Sequence, residues 1–215
     1  MNSSDINSIQ ARINYKFENT KLLVAALTHS SYVNEHEAIG NERIEFLGDC
    51  VLNFLVGEKL FSQDPTASEG KLSARRAAIV SRAPLARIVD LLGLVEFLQV
   101  GAGVDKNNFS DKARSDVFEA VVGAVYMDGG LEAARRLLED IFYCNVTPEH
   151  DYKSELQELS SAQGLKIEYS PAQEVGGKFK VHVCVGDSTF TGEAKSKHAA
   201  EVDAAKKAVK ALCRE

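Results

Sequence analysis

Near residue 150 the spacing of apolar residues in this 215-residue chain changes from one helical turn to strict alternation. The switch asks for two structures from one chain: a period of 3.6 residues marks one side of a helix, a period of 2 one face of a strand. Before it, apolar residues recur at helical spacing in six runs. The first follows Asn19-Thr20 and carries Leu22, Leu23, Ala26 and Leu27. The second, Glu42 to Phe61, has Asn41 as its expected cap, and the third opens at Ser68-Glu69-Gly70. Ala83 to Leu92, Ser110 to Met127 and Leu131 to Phe142 complete the set. Breaks fall at Asp64-Pro65, Gly93 and Asp128-Gly129-Gly130, where proline and glycine end helices.

Residues 147–151 read as a short polar linker. Beyond it, Ser154 to Gln163 predicts a helix closed by Gly164, and Lys166 to Val175 a strand. After a tight turn at Gly176-Gly177, Phe179, Val181, Val183 and Val185 alternate with Lys180, His182 and Cys184. Gly186-Asp187 turns the chain into Ser188 to Thr191, and Lys197 to Cys213 is an alanine-rich helix suited to the apolar sheet face. The expected fold is an all-α domain over 1–146, then a small α+β domain of order α-β-β-β-α over 152–215.

No apolar run reaches the roughly 18 residues of a membrane helix. The start, Met1-Asn2-Ser3-Ser4-Asp5, has no basic region followed by an apolar core, so a secretory signal is not expected and the expected location is cytoplasmic. Cys50, Cys144, Cys184 and Cys213 lack any C-x-x-C spacing, which predicts free thiols, buried or neutral, with no zinc site or disulfide framework. The net charge of −6 is unevenly spread: 15 basic and 22 acidic residues precede residue 152, and 10 basic and 9 acidic residues follow. An acidic domain still works on a polyanion when divalent cations neutralise its carboxylates.

The stretch Asn41-Glu42-Arg43-Ile44-Glu45-Phe46-Leu47-Gly48-Asp49 concentrates that problem. On a helix Glu42, Glu45 and Asp49 fall within about 60° of one another. Yet Ile44, Phe46, Leu47, Val51, Leu52, Phe54, Leu55 and Val56 make the same helix apolar nearly all round, as in a helix buried on several sides. Carboxylates in such a place need a compensating charge or they protonate. Asp116 and Glu119 form a second pair, one turn apart among Val117, Phe118, Ala120, Val121 and Val122. Two such helices can converge on an oxygen-only cage suited to Mg²⁺, which activates water near neutral pH and offsets charge growing on a phosphodiester. Against this stands a plainer account, in which Glu42 is a helix-N-terminal charge. Arg114 is expected to pair with nearby acids; Lys112 stays open.

The run Glu42 to Asp49, with Val51-Leu52 after it, resembles the signature of bacterial ribonuclease III. Ala26 to Tyr32, Ser68 to Ser73, and Lys112 through Ala120 agree in order and spacing, so the resemblance spans nearly the whole chain. It implies that Glu45, Asp49, Asp116 and Glu119 bind Mg²⁺ (with Mn²⁺ as a substitute), and that Asp49 and Glu119 are catalytic. It implies supporting acids at Glu42 and Glu69, the latter acting from a partner subunit, and a twofold interface into which Phe46 plugs. His29 is expected to pack and hydrogen-bond and His36 to be exposed. Lys71, Arg75, Arg76 and Arg82 are expected to be solvated charges, with a phosphate contact by one or two left open.

Residues 152–215 resemble a double-stranded-RNA-binding domain, a module that reads A-form shape through 2′-hydroxyls and phosphates. The resemblance places Gln157 and Glu158 at the minor groove, and Lys195, Lys197 and His198 at a phosphate-binding helix start within Gly192 to Glu201. His198 stands where the family has a second lysine, and Val175-Gly176-Gly177-Lys178 is shorter than the family's loop and lacks its histidine; both predict weaker binding. Lys206, Lys207 and Lys210 are given no RNA role. The implied activity is a homodimeric, Mg²⁺-dependent endonuclease of the cytoplasm that makes staggered cuts in double-stranded RNA. It would leave 5′-phosphate and 3′-hydroxyl ends and process ribosomal RNA precursors and other structured transcripts. The rivals are a silent RNA-holding relative and a di-iron helical protein; the second wants Glu-x-x-His pairs, absent from the acidic helices.

Overall fold

The computed structural model describes residues 1–145 and 152–212. Two compact units divide the chain, Met1–Glu149 and His150–Glu215, each with its own apolar core. The expected linker, 147–151, lies outside the described residues.

Helices α1 (Ser3–Arg12), α2 (Thr20–Ala26), α3 (Ser30–Val33), α4 (Glu42–Gln63), α5 (Glu69–Ile79), α6 (Arg82–Leu91) and α7 (Asp111–Leu137) build the first unit. A π-helical turn, Leu138–Phe142, and the short α8 (Tyr143–Asn145) follow. Capping fixes several starts. Asn2 and Asp5 exchange side-chain and backbone hydrogen bonds around the first turn of α1. The hydroxyls of Ser68 and Ser110 accept from the N–H groups of Lys71 and Ala113 and open α5 and α7.

The core is centred on α4 packed along α7, with α2 and α6 also on α7 and α5 against α4. Leu52, Leu55 and Val56 of α4 meet Val117, Phe118, Val121, Val122 and Val125 of α7 in one buried cluster. A long helix apolar on most faces, such as α7, is stable only when neighbours surround it.

The structure departs from the sequence expectations at several places. Asn41 sits at the start of α4 but makes no side-chain cap; it is buried, its backbone is helical, and its N–H donates to the Thr28 carbonyl. The runs 110–127 and 131–142 are not separate helices. They join in α7 across a kink at Gly130 (φ 75°, ψ −172°), and Leu138–Phe142 then widens into the π-turn. Helices α1 and α3 fall outside the six runs: α1 buries only Ile9, and α3 spans four residues with none buried. Cys50, Cys144 and Cys184 are free thiols, as expected, and all three are exposed; Cys213 lies outside the described residues. Among those residues no helix is long and apolar enough to cross a membrane.

The second unit is α9 (Tyr152–Ala162), β1 (Ile167–Tyr169), β2 (Gln173–Val175), β3 (Lys178–Val185), β4 (Ser188–Ala194) and α10 (Lys197–Leu212). The expected single strand 166–175 is two. Both β1 and β2 pair antiparallel with β3, in registers Ile167–Val185 and Val175–Lys178, while β4 takes its other edge. The interruption lies at Ser170-Pro171-Ala172, because Pro171 has no N–H to give a ladder. Ser170 softens the break: its N–H donates to the His182 carbonyl at 2.8 Å, and its hydroxyl accepts from the His182 N–H at 2.9 Å. Gly176 and Gly177 both have positive φ (61° and 75°), as the two-residue hairpin turn requires. The fourth strand runs to Ala194, so residues 192–194 belong to the sheet, not to the start of α10. Val181, Val183 and Val185 are buried on the face covered by Ala200, Ala204, Ala205 and Ala208 of α10.

Candidate active site and RNA-binding face

Helices α4 and α7 touch backbone to backbone at Gly48 and Gly123. A Cβ on Gly48 would lie 1.8 Å from the Glu119 carbonyl oxygen, and one on Gly123 would lie 2.3 Å from that of Ile44. Only two glycines permit this approach. The crossing has a chemical consequence: Gly48 stands between Glu45 and Asp49, and Gly123 one turn after Glu119.

At that crossing one carboxylate oxygen from each of Glu45, Asp116 and Glu119 lies within 4.8 Å of the others, and all three residues are half-buried. Three hard oxygen donors at this spacing fit an ion such as Mg²⁺, which prefers carboxylates and keeps some of its waters. Asp49 is exposed and outside this trio; the Asn53 side-chain amide donates to its Oδ1 at 2.7 Å. Lys112 Nζ donates to Asp116 Oδ2 at 2.6 Å across one turn of α7.

The electrostatics show the crowding. Desolvation pushes Glu119 up to about 7, helped by the charges of Asp49, Asp116 and Glu45 and opposed by Lys112. Glu45 is raised as well, first by desolvation and then by Asp116, with Lys112 again opposing and Glu42 and Asp49 adding to the rise. Asp49 is thus close enough to repel both although it is not in the trio. Half-buried carboxylates crowded in this way favour a compensating positive charge.

The remaining expected residues are dispersed. Glu42 is exposed in the first turn of α4. Glu69 opens α5, where its carboxylate accepts from the Ser73 hydroxyl at 2.8 Å, and it does not join the trio. Phe46 is 74% exposed, with Phe54 and Phe61 of α4 at 54% and 71%; at about 100° per residue the three lie within about 80° of one another, beside the acidic face. His29 Nδ1 accepts from the Ser31 N–H, and exposed His36 stacks on Tyr32. Arg75 pairs with Asp64, and Arg114 with Asp111 and Asp90.

In the second unit Gln157 and Glu158 are exposed on α9 beside buried Leu156. Lys195, Lys197 and His198 are exposed around the start of α10. There the Ser196 hydroxyl accepts from the Ala199 N–H, and Lys197 Nζ lies 5.9 Å from the centre of the Phe179 ring. Lys207 donates to the Thr191 carbonyl and to Asp203.

A family model described as Ribonuclease-III-like matches residues 19–144, and one described as Double-stranded RNA binding motif matches residues 152–212. This chain belongs to the ribonuclease III family. Its similarity to Ribonuclease 3 of Bacillus cereus (strain G9842) is 40% identity over 219 residues, 94% of this chain and 89% of that protein. With Ribonuclease 3 of Latilactobacillus sakei it shares 36% over 228 residues, 99% of each. Among solved structures, the nuclease domain of ribonuclease III from Campylobacter jejuni is similar at a TM-score of 0.61 and 34% identity, covering 65% of this chain and 97% of that one. That structure is described as flexible in a region involved in dimer formation.

This ribonuclease III chain is therefore an endoribonuclease of double-stranded RNA with a nuclease domain and a double-stranded-RNA-binding domain. Sequence reasoning gave Gly48 and Gly123 no role, although glycines inside apolar helices are a recognisable signal of close packing. It also passed over Asn53, one turn beyond Asp49, which no periodicity distinguishes from a solvated residue.

Proposed function

We propose that this ribonuclease III works as a homodimeric, Mg²⁺-dependent endonuclease that makes staggered cuts in double-stranded RNA and leaves 5′-phosphate and 3′-hydroxyl ends. Its substrates in this reading are ribosomal RNA precursors and other structured transcripts, messenger and transfer RNA precursors among them, in the cytoplasm. The observation that carries it is the convergence of Glu45, Asp116 and Glu119 at a helix crossing, in a chain that also carries a duplex-RNA module.

Glu45, Asp116 and Glu119 would hold the ion, with Asp49 as the fourth carboxylate and Mn²⁺ as a substitute metal. Bound there, the cation supplies positive charge against the phosphodiester and makes water acidic enough to attack near neutral pH. Asp49 and Glu119 are assigned the catalytic roles. Burial and the neighbouring acids push Glu119 up to about 7, an unfavourable crowding that a bound cation would relieve. Glu42 and Glu69 support the acidic face, Glu69 from the partner subunit.

The exposed stripe of Phe46, Phe54 and Phe61 supports a twofold interface on α4, since large apolar side chains this exposed favour burial against a second copy. Two sites on one duplex, one per strand, account for the stagger. Residues 1–146 are assigned to catalysis, 147–151 to the linker and 152–215 to RNA binding, through Gln157, Glu158, Lys195, Lys197 and His198. The test is cleavage of a long RNA duplex with Mg²⁺, with EDTA, and with Mg²⁺ restored, followed by analysis of product ends. Cleavage that stops with EDTA, returns with Mg²⁺ and leaves 5′-phosphates is expected; cleavage persisting in EDTA would contradict it.

A further inference from the structure

The acidic trio already has a positive charge against it. Lys112 Nζ is 2.6 Å from Asp116 Oδ2, and the Lys112 side chain is 59% exposed, so its stem has open solvent to swing into. Asp116 in turn shares the helix crossing with Glu45 and Glu119, whose carboxylate oxygens lie within 4.8 Å of its own. Arg82 lies near enough to oppose the Lys112 charge, and Arg114 is turned to Asp111 and Asp90 instead. An ammonium 2.6 Å from a ligand oxygen and a divalent cation sharing that oxygen repel each other strongly at such range.

We propose that Lys112 is the resident counter-ion of the metal-free centre, a tethered cation that the divalent ion must displace from Asp116, so that Lys112 sets how tightly the centre takes its metal. The inference rests on the reading of the trio as a metal centre. It gives Lys112 two opposite effects: holding the empty site together and opposing its filling. A lysine engaged only in a surface i,i+4 pair has neither effect beyond a small, metal-independent stability change.

The experiment follows Mn²⁺ binding to the full chain by the electron paramagnetic resonance signal of the free ion. It uses the parent, Lys112→Met and Lys112→Arg at about pH 8.5, above the carboxylate range. Lys112→Met is expected to bind Mn²⁺ roughly threefold or more tighter, and Lys112→Arg, which keeps the charge, close to the parent. In parallel, metal-free Lys112→Met is expected to melt below the parent and to close that gap when Mn²⁺ saturates it. Lys112→Met binding at or below parent affinity, or a melting deficit unchanged by Mn²⁺, overturns the proposal while leaving the metal centre intact. A parent chain that binds no Mn²⁺ removes the metal centre, and this inference with it.

Discussion

Gly48 of α4 rests against the main-chain carbonyl of Glu119 on α7, with room for hydrogen but not for methyl: the added carbon would fall 1.8 Å from the oxygen. The helix separation that brings Glu45 to Asp116 and Glu119 is set by this contact and its counterpart at Gly123. Gly48→Ala is therefore expected to push α4 away from α7, costing about 3 kcal/mol of stability by overpacking. It is also expected to slow duplex cleavage about 100-fold by misplacing the acids. Urea denaturation and single-turnover cleavage check the two effects; a variant with parent stability and rate would show that the crossing does not position the site.

Charge crowding makes a pH prediction. Glu119 keeps its proton up to about 7 in the folded chain, against 4.5 for an ordinary glutamate. Between these values the folded state binds more protons than the unfolded one, so metal-free stability falls as pH rises through that window and the loss persists above it. Glu119→Gln removes the titration. Its melting temperature relative to the parent is expected to climb from about pH 4.5 to about pH 7 and then level off. A difference constant with pH would assign Glu119 no such strain.

Glu45 is raised by the same causes, desolvation first and the Asp116 charge second. Glu45→Gln is accordingly expected to raise the metal-free melting temperature at neutral pH while abolishing cleavage. A clear fall in that temperature would point to a structural hydrogen-bonding role instead.

The α4 stripe gives a prediction about assembly. Phe46→Ala is expected to weaken self-association about tenfold or more, the scale of an aromatic anchor at an interface. Sedimentation velocity across a concentration series reads it directly. A parent chain that stays monomeric throughout would remove the interface.

In the RNA-binding domain, His198 takes a position beside Lys195 and Lys197 at the start of α10. His198→Lys is expected to tighten duplex binding and steepen its salt dependence by about one released counterion, and Lys197→Ala to do the reverse. Salt titrations of RNA affinity distinguish these outcomes from a surface that makes no phosphate contact.

Much of this molecule can be read from its residues because apolar period and acid spacing are local properties. The helices around Glu42–Gln63 and Arg82–Leu91, the alternation from Phe179 to Val185, and the pairing of the Glu45 and Asp116 helices all follow from them. The misses are tertiary. Asn41 looks like a cap but is buried with its N–H on the Thr28 carbonyl. Gly129-Gly130 looks like a stop, yet the chain resumes its helix after one non-helical residue. Pro171 splits a strand that periodicity alone leaves whole, and α1 and α3 bury too little apolar surface to announce themselves. At the site, the convergence of Glu45 with Asp116 and Glu119 was legible, but Asp49 standing apart on Asn53 and Lys112 bound to Asp116 depend on rotamers that spacing does not encode.

In the proposed mechanism, carboxylates meeting at the crossing of α4 and α7 do the cutting. Single-turnover cleavage of a defined RNA duplex in saturating Mg²⁺, comparing the parent with Glu119→Gln and Asp116→Asn, tests it most directly. Both variants are expected to fold and bind the duplex like the parent yet cleave at least about 100-fold more slowly. Cleavage at the parent rate by either would contradict it.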